Sequence, residues 1–215
     1  MIFRSVALLV LCSVTVGTGA LRAQDRSKFV VAGVLGFSSV TQRTALDTTK
    51  SSGTLFGLEA GFRYWRAELR GRYSQGGLEP NGGGQSTDLV EGELMLGVWP
   101  VDMLALRFGP RARSYVTNAG TVRWVFWEVR ARFEASLSRG SSLWSYFEAW
   151  YALTGSVNAA ESFGNGRGLE GGIGLLIPST PVRLRLGYRI DQGRLQEDSR
   201  TEAIEELILA VGVGR

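Results

Sequence analysis

Histidine is absent from the 215 residues, and with it goes the usual general base of Ser/His and Asp/His catalysis. Cysteine occurs once, at Cys12, inside an N-terminal segment with the marks of a secretory signal. The mature chain is therefore expected to lack disulfides, a thiol nucleophile and thiolate metal sites. Lysine occurs only at Lys28 and Lys50, so the basic charge is almost all arginine, which suits pairing with carboxylates more than a diffuse solvated surface. Beyond the N-terminus no stretch is apolar for long enough to cross a membrane as a helix, and any spanning falls to strands. The formal charge of +4 drops to +2 once Arg4 and Arg22 leave with the signal. That leaves no nucleic-acid footprint.

The signal is read as residues 1–23, with Arg4 as the charged start, Val6 to Val16 as the apolar middle and Gly17 to Ala20 as the small-residue end. Cleavage is expected after Ala23, leaving Gln24, with Ala20 as the alternative. Leu11 precedes Cys12 where a lipoprotein signal has a small residue, so no lipid anchor is expected. Residues 24–215 make a single domain.

What the domain does contain is alternation. From Trp124 to Leu137, the positions Val125, Trp127, Val129, Ala131, Phe133 and Ala135 are uncharged, while Glu128, Arg130, Arg132 and Glu134 between them are ionic. A period of two with oil on one side and salt on the other predicts a β-strand between two media. The same contrast recurs over Thr54–Tyr64, Arg66–Ser74, Thr87–Trp99, Met103–Tyr115, Leu143–Thr154, Gly168–Ile177 and Val182–Asp191. It is weaker over Phe29–Phe37 and in the final strand, which carries Leu207, Leu209, Val211 and Val213 on one face. Ten strands result, with eight as the alternative because the first and last are the faintest. Pro110 lies on an oily face and predicts a bulge or an early end to pairing. Links at 38–52, 75–86, 116–122, 156–167 and 192–200 alternate with tight turns near 65, 101, 140 and 179.

Alternation alone leaves open which face points inward. A membrane barrel turns the oily set outward, whereas a soluble barrel buries it. The signal, the links longer on one rim, and Tyr64, Trp65, Trp99 and Trp144 near the tight turns favour the membrane arrangement. The expected interior then holds twelve arginines, Arg63, Arg66, Arg70, Arg72, Arg107, Arg111, Arg113, Arg130, Arg132, Arg183, Arg185 and Arg189. Against them stand ten carboxylates, Glu59, Glu68, Glu91, Glu93, Glu128, Glu134, Glu148, Glu170, Asp191 and Glu206, a mutually paired network with a slight cationic excess.

At the level of this pattern, residues 27–215 resemble the small outer-membrane β-barrel proteins of Gram-negative bacteria. The resemblance implies a closed antiparallel up-and-down transmembrane barrel, porin-like, in the cell envelope, with short periplasmic turns and longer outer loops. It also implies outer-membrane lipid and the barrel-assembly machinery as partners. The chain ends in Arg215, where such barrels usually end in an aromatic residue.

No cofactor, metal site or enzyme activity is expected. Without histidine, the pattern of the known outer-membrane proteases, lipases and acyl-chain editors is missing. Glu91 with Glu93, or Glu128 with Glu134, are better read as partners of arginine than as acid/base pairs. The glycines from Gly164 to Gly174 lack the helix and Lys-Ser/Thr of a phosphate loop, and ease strand curvature instead. The expected role is a non-enzymatic structural or surface-interaction barrel. A narrow, weakly anion-preferring pore for small solutes is the alternative, and a secreted soluble barrel around an apolar ligand is the second.

Overall fold

The structure, a computed structural model, describes residues 27–44, 46–118, 120–137, 142–158, 162–196 and 200–214. The signal-peptide reading, Cys12 and Arg215 lie outside the described residues. Ten strands are present: β1 (Ser27–Thr44), β2 (Thr48–Tyr64), β3 (Ala67–Pro80), β4 (Thr87–Val101), β5 (Leu104–Thr117), β6 (Gly120–Ser136), β7 (Leu143–Val157), β8 (Phe163–Leu176), β9 (Val182–Leu195) and β10 (Arg200–Gly214). Each pairs antiparallel with its sequence neighbours, and β1 pairs with β10 from Val30↔Gly214 to Thr44↔Arg200, which closes the barrel. Among the described residues no helix is long and apolar enough to cross a membrane.

Strands of 14 to 18 residues exceed the roughly 9–11 that a tilted strand needs to cross a hydrocarbon layer. The surplus lies at the far rim, opposite the rim that holds both described ends of the chain. Segments expected to be long links are largely strand: β1 and β2 consume most of 38–52, β3 runs through Gln75 to Pro80, and β8 begins at Phe163.

Polarity inverts along the barrel axis. Over the half nearer the chain ends, outward side chains such as Leu58, Leu96, Phe133, Ile173, Leu186 and Val213 are apolar and exposed, and inward ones are ionic. Toward the far rim the pattern reverses. Arg43, Lys50, Glu79, Arg123 and Arg167 are exposed on the outside, while Val40, Leu55, Leu78, Leu89, Tyr115, Trp124, Phe126, Ala152, Leu195 and Ile204 form one buried cluster inside. With Phe163 packed against that cluster, every strand of the barrel contributes to it. The two arrangements that alternation left open are thus both present, stacked one above the other in one barrel.

β5 passes through Pro110 without a register shift and stays paired to β6 through Pro110↔Trp127. On the β4 side the register pairs run Glu93↔Arg111 and then Leu96↔Phe108, with an interruption between them. The expected bulge is therefore absent, because the cost of the missing proline N–H is confined to one side of the strand. The register shift of this strand pair lies instead between Val98 and Val101. The neighbouring Gly109 makes the close approach to β4 possible, since a Cβ there would collide with the Leu94 carbonyl oxygen. Gly109→Ala is expected to lower stability by about 1–3 kcal/mol, read from urea midpoints. Gly92→Ala, where a Cβ meets nothing within 4 Å, should leave the midpoint in place.

Trp99 and Trp144 do not join an exterior aromatic girdle as expected. Each shares the inward parity of its strand: Trp99 is buried, and Trp144 lines the lumen. Tyr64 and Trp65 do face outward, and the exposed Arg66 stacks on Trp65 at 5.4 Å. Arg66 belongs to the turn rather than to β3, which removes it from the interior set.

Candidate functional site

The lumen holds three levels. Nearest the far rim is the apolar cluster, centred on Trp124, with Phe126 stacked on it at 5.9 Å and set edge-on to Phe163 at 5.6 Å. Gly193 leaves the space that the Trp124 ring occupies, since a Cβ there would lie 3.4 Å from it.

Beneath the apolar level lies the ionic network. Glu91 accepts from Arg111 Nη2 at 2.8 Å, Arg113 Nε at 2.8 Å and Arg189 Nη2 at 2.6 Å. Asp191 takes Arg111 and Arg113, and its other oxygen accepts from Trp150 Nε1 at 3.3 Å. Glu148 is a second hub, with Arg107 and Arg132 each at 3.0 Å, Arg130 at 3.6 Å and Arg70 at 3.9 Å. Its position explains how Arg107 and Arg130, directly opposed in the β5–β6 register, coexist. Arg130 also binds Glu128 and Glu93 at 2.7 Å each, and Arg132 binds Glu134 at 2.6 Å. Glu59 holds Arg70 at 2.9 Å and Arg185 at 2.7 Å. Arg72 reaches Glu206 at 3.4 Å and Glu170 at 3.8 Å.

Several of these bridges cross the lumen rather than follow the wall. Arg189–Glu91 joins β9 to β4, and Arg113–Glu202 at 2.6 Å joins β5 to β10. In a ring of ten these strands stand five places apart, diametrically opposed. Arg185–Glu59 and Arg72–Glu206 each span three places. Buried pairs of this kind add little net stability over apolar packing, but losing one partner is costly. They fix which strands face one another across the interior.

The interior set expected from sequence is thus placed inward except for Arg66. One member was missed: Glu202 is fully buried and also accepts from Gln42 Nε2 at 3.5 Å. The available signal was the continuing parity of Glu202, Ile204, Glu206 and Ile208. Exchanging Arg66 for Glu202 turns twelve arginines against ten carboxylates into eleven against eleven, so the named set carries no cationic excess. The carboxylates considered for acid/base chemistry, Glu91, Glu93, Glu128 and Glu134, all contact guanidinium groups.

The third level is a cavity of about 340 Å³ at the rim that holds the chain ends. It is bounded above by Glu59, Arg185, Arg107 and Glu68, and walled in part by Trp99 and Trp144. Trp99 Nε1 donates to Glu68 Oε2 at 3.1 Å, and the Arg63 guanidinium lies 4.3 Å from the Trp99 ring centroid. Arg63 and Arg183 belong to this cavity rather than to the network.

No family model matches the sequence, and no curated protein matches it either. Solved structures do. The outer membrane protease OmpT from Escherichia coli superposes with a TM-score of 0.56 at 7% identity, covering 92% of this chain and 99% of that one. The translocator domain of the autotransporter NalP from Neisseria meningitidis gives 0.51 at 13% identity, covering 90% of each chain. An outer membrane channel from Pseudomonas putida F1 gives 0.51 at 10% identity, covering 93% of this chain and 100% of that one. A protease, a translocator and a channel share little beyond architecture, and at these identities the likeness is one of fold. The chain has the fold of the bacterial outer-membrane β-barrels.

Proposed function

We propose that the protein is an integral outer-membrane barrel with a closed lumen, non-enzymatic, acting as a structural or surface-interaction element through its far rim. The observation that carries this reading is the axial inversion of polarity. An apolar outer belt suits hydrocarbon, while a polar outer surface around an apolar interior suits water, and the lumen is filled at both levels. Diametric ion pairs cross the middle of the lumen, and the apolar cluster above them offers permeating ions no compensating contacts.

The folded protein is expected in the outer-membrane fraction with heat-modifiable gel mobility, and its purified barrel is expected to be electrically silent in planar bilayers. Reproducible single-channel steps would sink the closed-lumen reading. Recovery in the soluble periplasmic fraction without detergent would sink the membrane reading and favour the soluble barrel.

A further inference from the structure

The pairing rule of the lumen breaks down at the rim that holds the chain ends. Three cations line the cavity there without the partners that the interior arginines have. Arg183 has no ion-pair partner among the described residues, and its Nε is buried without a hydrogen bond. Lys28 likewise has no ion pair among the described residues. Arg63 has a single ion pair among the described residues, to Asp102 at 3.6 Å, whose side chain is 93% exposed, a contact of little weight in water; its Nε donates to the Trp65 carbonyl oxygen at 3.0 Å, which leaves its charge without a buried counter-ion. The carboxylates on the same cavity are already engaged: Glu59 by Arg70 and Arg185, Glu68 by Arg107 at 2.9 Å, and Glu134 by Arg132. Lys28 and Arg63 also stand directly opposite each other in the β1–β2 register. Like charges in that position weigh against strand pairing, and an anion beside them relieves the repulsion.

We propose that this cavity binds a phosphate group, carried on a small molecule that enters from the rim of the chain ends. Two guanidinium groups and an ammonium group match a phosphate ester, with a charge near −2 at neutral pH, better than a single carboxylate. Val30 and Trp144 add apolar lining for the rest of the molecule. A volume of about 340 Å³ falls within the range of small-ligand sites. The ionic network roofs the site, so ligand entry does not require a conducting lumen. A channel recording that overturned the closed-lumen reading would leave this site to be judged by its own test.

Isothermal titration of the refolded barrel with inorganic phosphate and with glycerol 3-phosphate tests the proposal, with acetate as the carboxylate comparison. Folding of each variant is verified by heat-modifiable mobility. Saturable binding of both phosphate probes is expected, weakened tenfold or more by Arg183→Ala and by Lys28→Ala. Lys28 is exposed and unpaired, so its removal should leave the fold intact. Gly61→Leu removes no charge but fills the cavity from a wall position where a Cβ has only the Leu69 carbonyl oxygen at 4.0 Å, and it should abolish binding. Arg123→Ala, on the outside near the far rim, should bind as the unmodified chain does. The proposal is overturned by absence of saturable phosphate binding in the folded barrel, by equal binding in the Arg183→Ala and Lys28→Ala variants, or by acetate binding more tightly than phosphate.

Discussion

Glu91→Ala is expected to destabilise the barrel by roughly 3–5 kcal/mol, the cost of removing one partner from a buried ionic cluster. Glu91 is 5% exposed and holds Arg111, Arg113 and Arg189. Asp191 and Glu202 can still serve Arg113, and Glu206 lies 2.8 Å from Arg189. No remaining carboxylate joins β4 to β9, however, and the interior is left with an uncompensated cation. Urea unfolding in lipid vesicles, followed by tryptophan fluorescence, measures the effect. Glu79→Ala, on the exposed outer face of β3, provides the comparison and should stay within about 0.5 kcal/mol. A Glu91→Ala midpoint no different from that of Glu79→Ala would mean that water reaches the network and screens it. A Glu91→Gln variant keeps the shape without the charge and should also be destabilised, which would assign the loss to electrostatics rather than to a void.

The second large effect is expected at the opposite kind of level. Trp124 is fully buried in the centre of the apolar cluster, and Trp124→Ala should cost about 3–5 kcal/mol through lost burial and the cavity left behind. Both losses involve groups shielded from solvent, so neither should depend strongly on ionic strength. Because the ion pairs beneath remain, Trp124→Ala alone should stay electrically silent. Currents from this single variant would show that the apolar cluster is the only barrier. Adding Glu91→Ala removes a diametric brace as well and is the combination expected to leak.

The strand number, the order of turns and the facing of the charged side chains in the belt were legible in the sequence. In the belt the two media differ so strongly that each strand displays alternation outright: β9 carries Leu184, Leu186, Tyr188 and Ile190 against Arg183, Arg185, Arg189 and Asp191. The far ends of the strands were not legible, for a related reason. From Ser38 to Thr44 the outward residues are polar, and Val40 is the sole apolar residue facing in, so the segment resembles a link. Gln75 to Pro80 is similar, with Leu78 alone facing in. When each strand gives one or two side chains to a shared cluster, the apolar signal is spread around the ring and is faint along any one strand. Glu202 was missed just past the link 192–200, ahead of the apolar face from Leu207 to Val213 that marks the final strand.

Which residues meet across the lumen was not legible either. Glu91 and Arg189 are 98 residues apart, and their meeting depends on the shear that closes ten strands into a ring. Sequence parity identifies who faces inward, but only closure decides who stands opposite. The unpartnered state of Arg183 depends on the same geometry. In the sequence it is one more arginine of β9, indistinguishable from Arg185 and Arg189.

The closing seam places a constraint on the order of folding. β1 is the first strand in the chain, yet its partner β10 is the last, so both edges remain open hydrogen-bonding templates until the whole chain is in place. The bridges from β5 to β10 and from β9 to β4 cannot form early either, because their ends lie far apart in the chain. Such contacts reward folding only after a large loop-closure cost, which predicts slow, late-committing assembly and a correspondingly long-lived closed state. The same seam that makes the open chain vulnerable to pairing with its neighbours becomes, once zipped and cross-braced, a kinetic lock on the finished barrel.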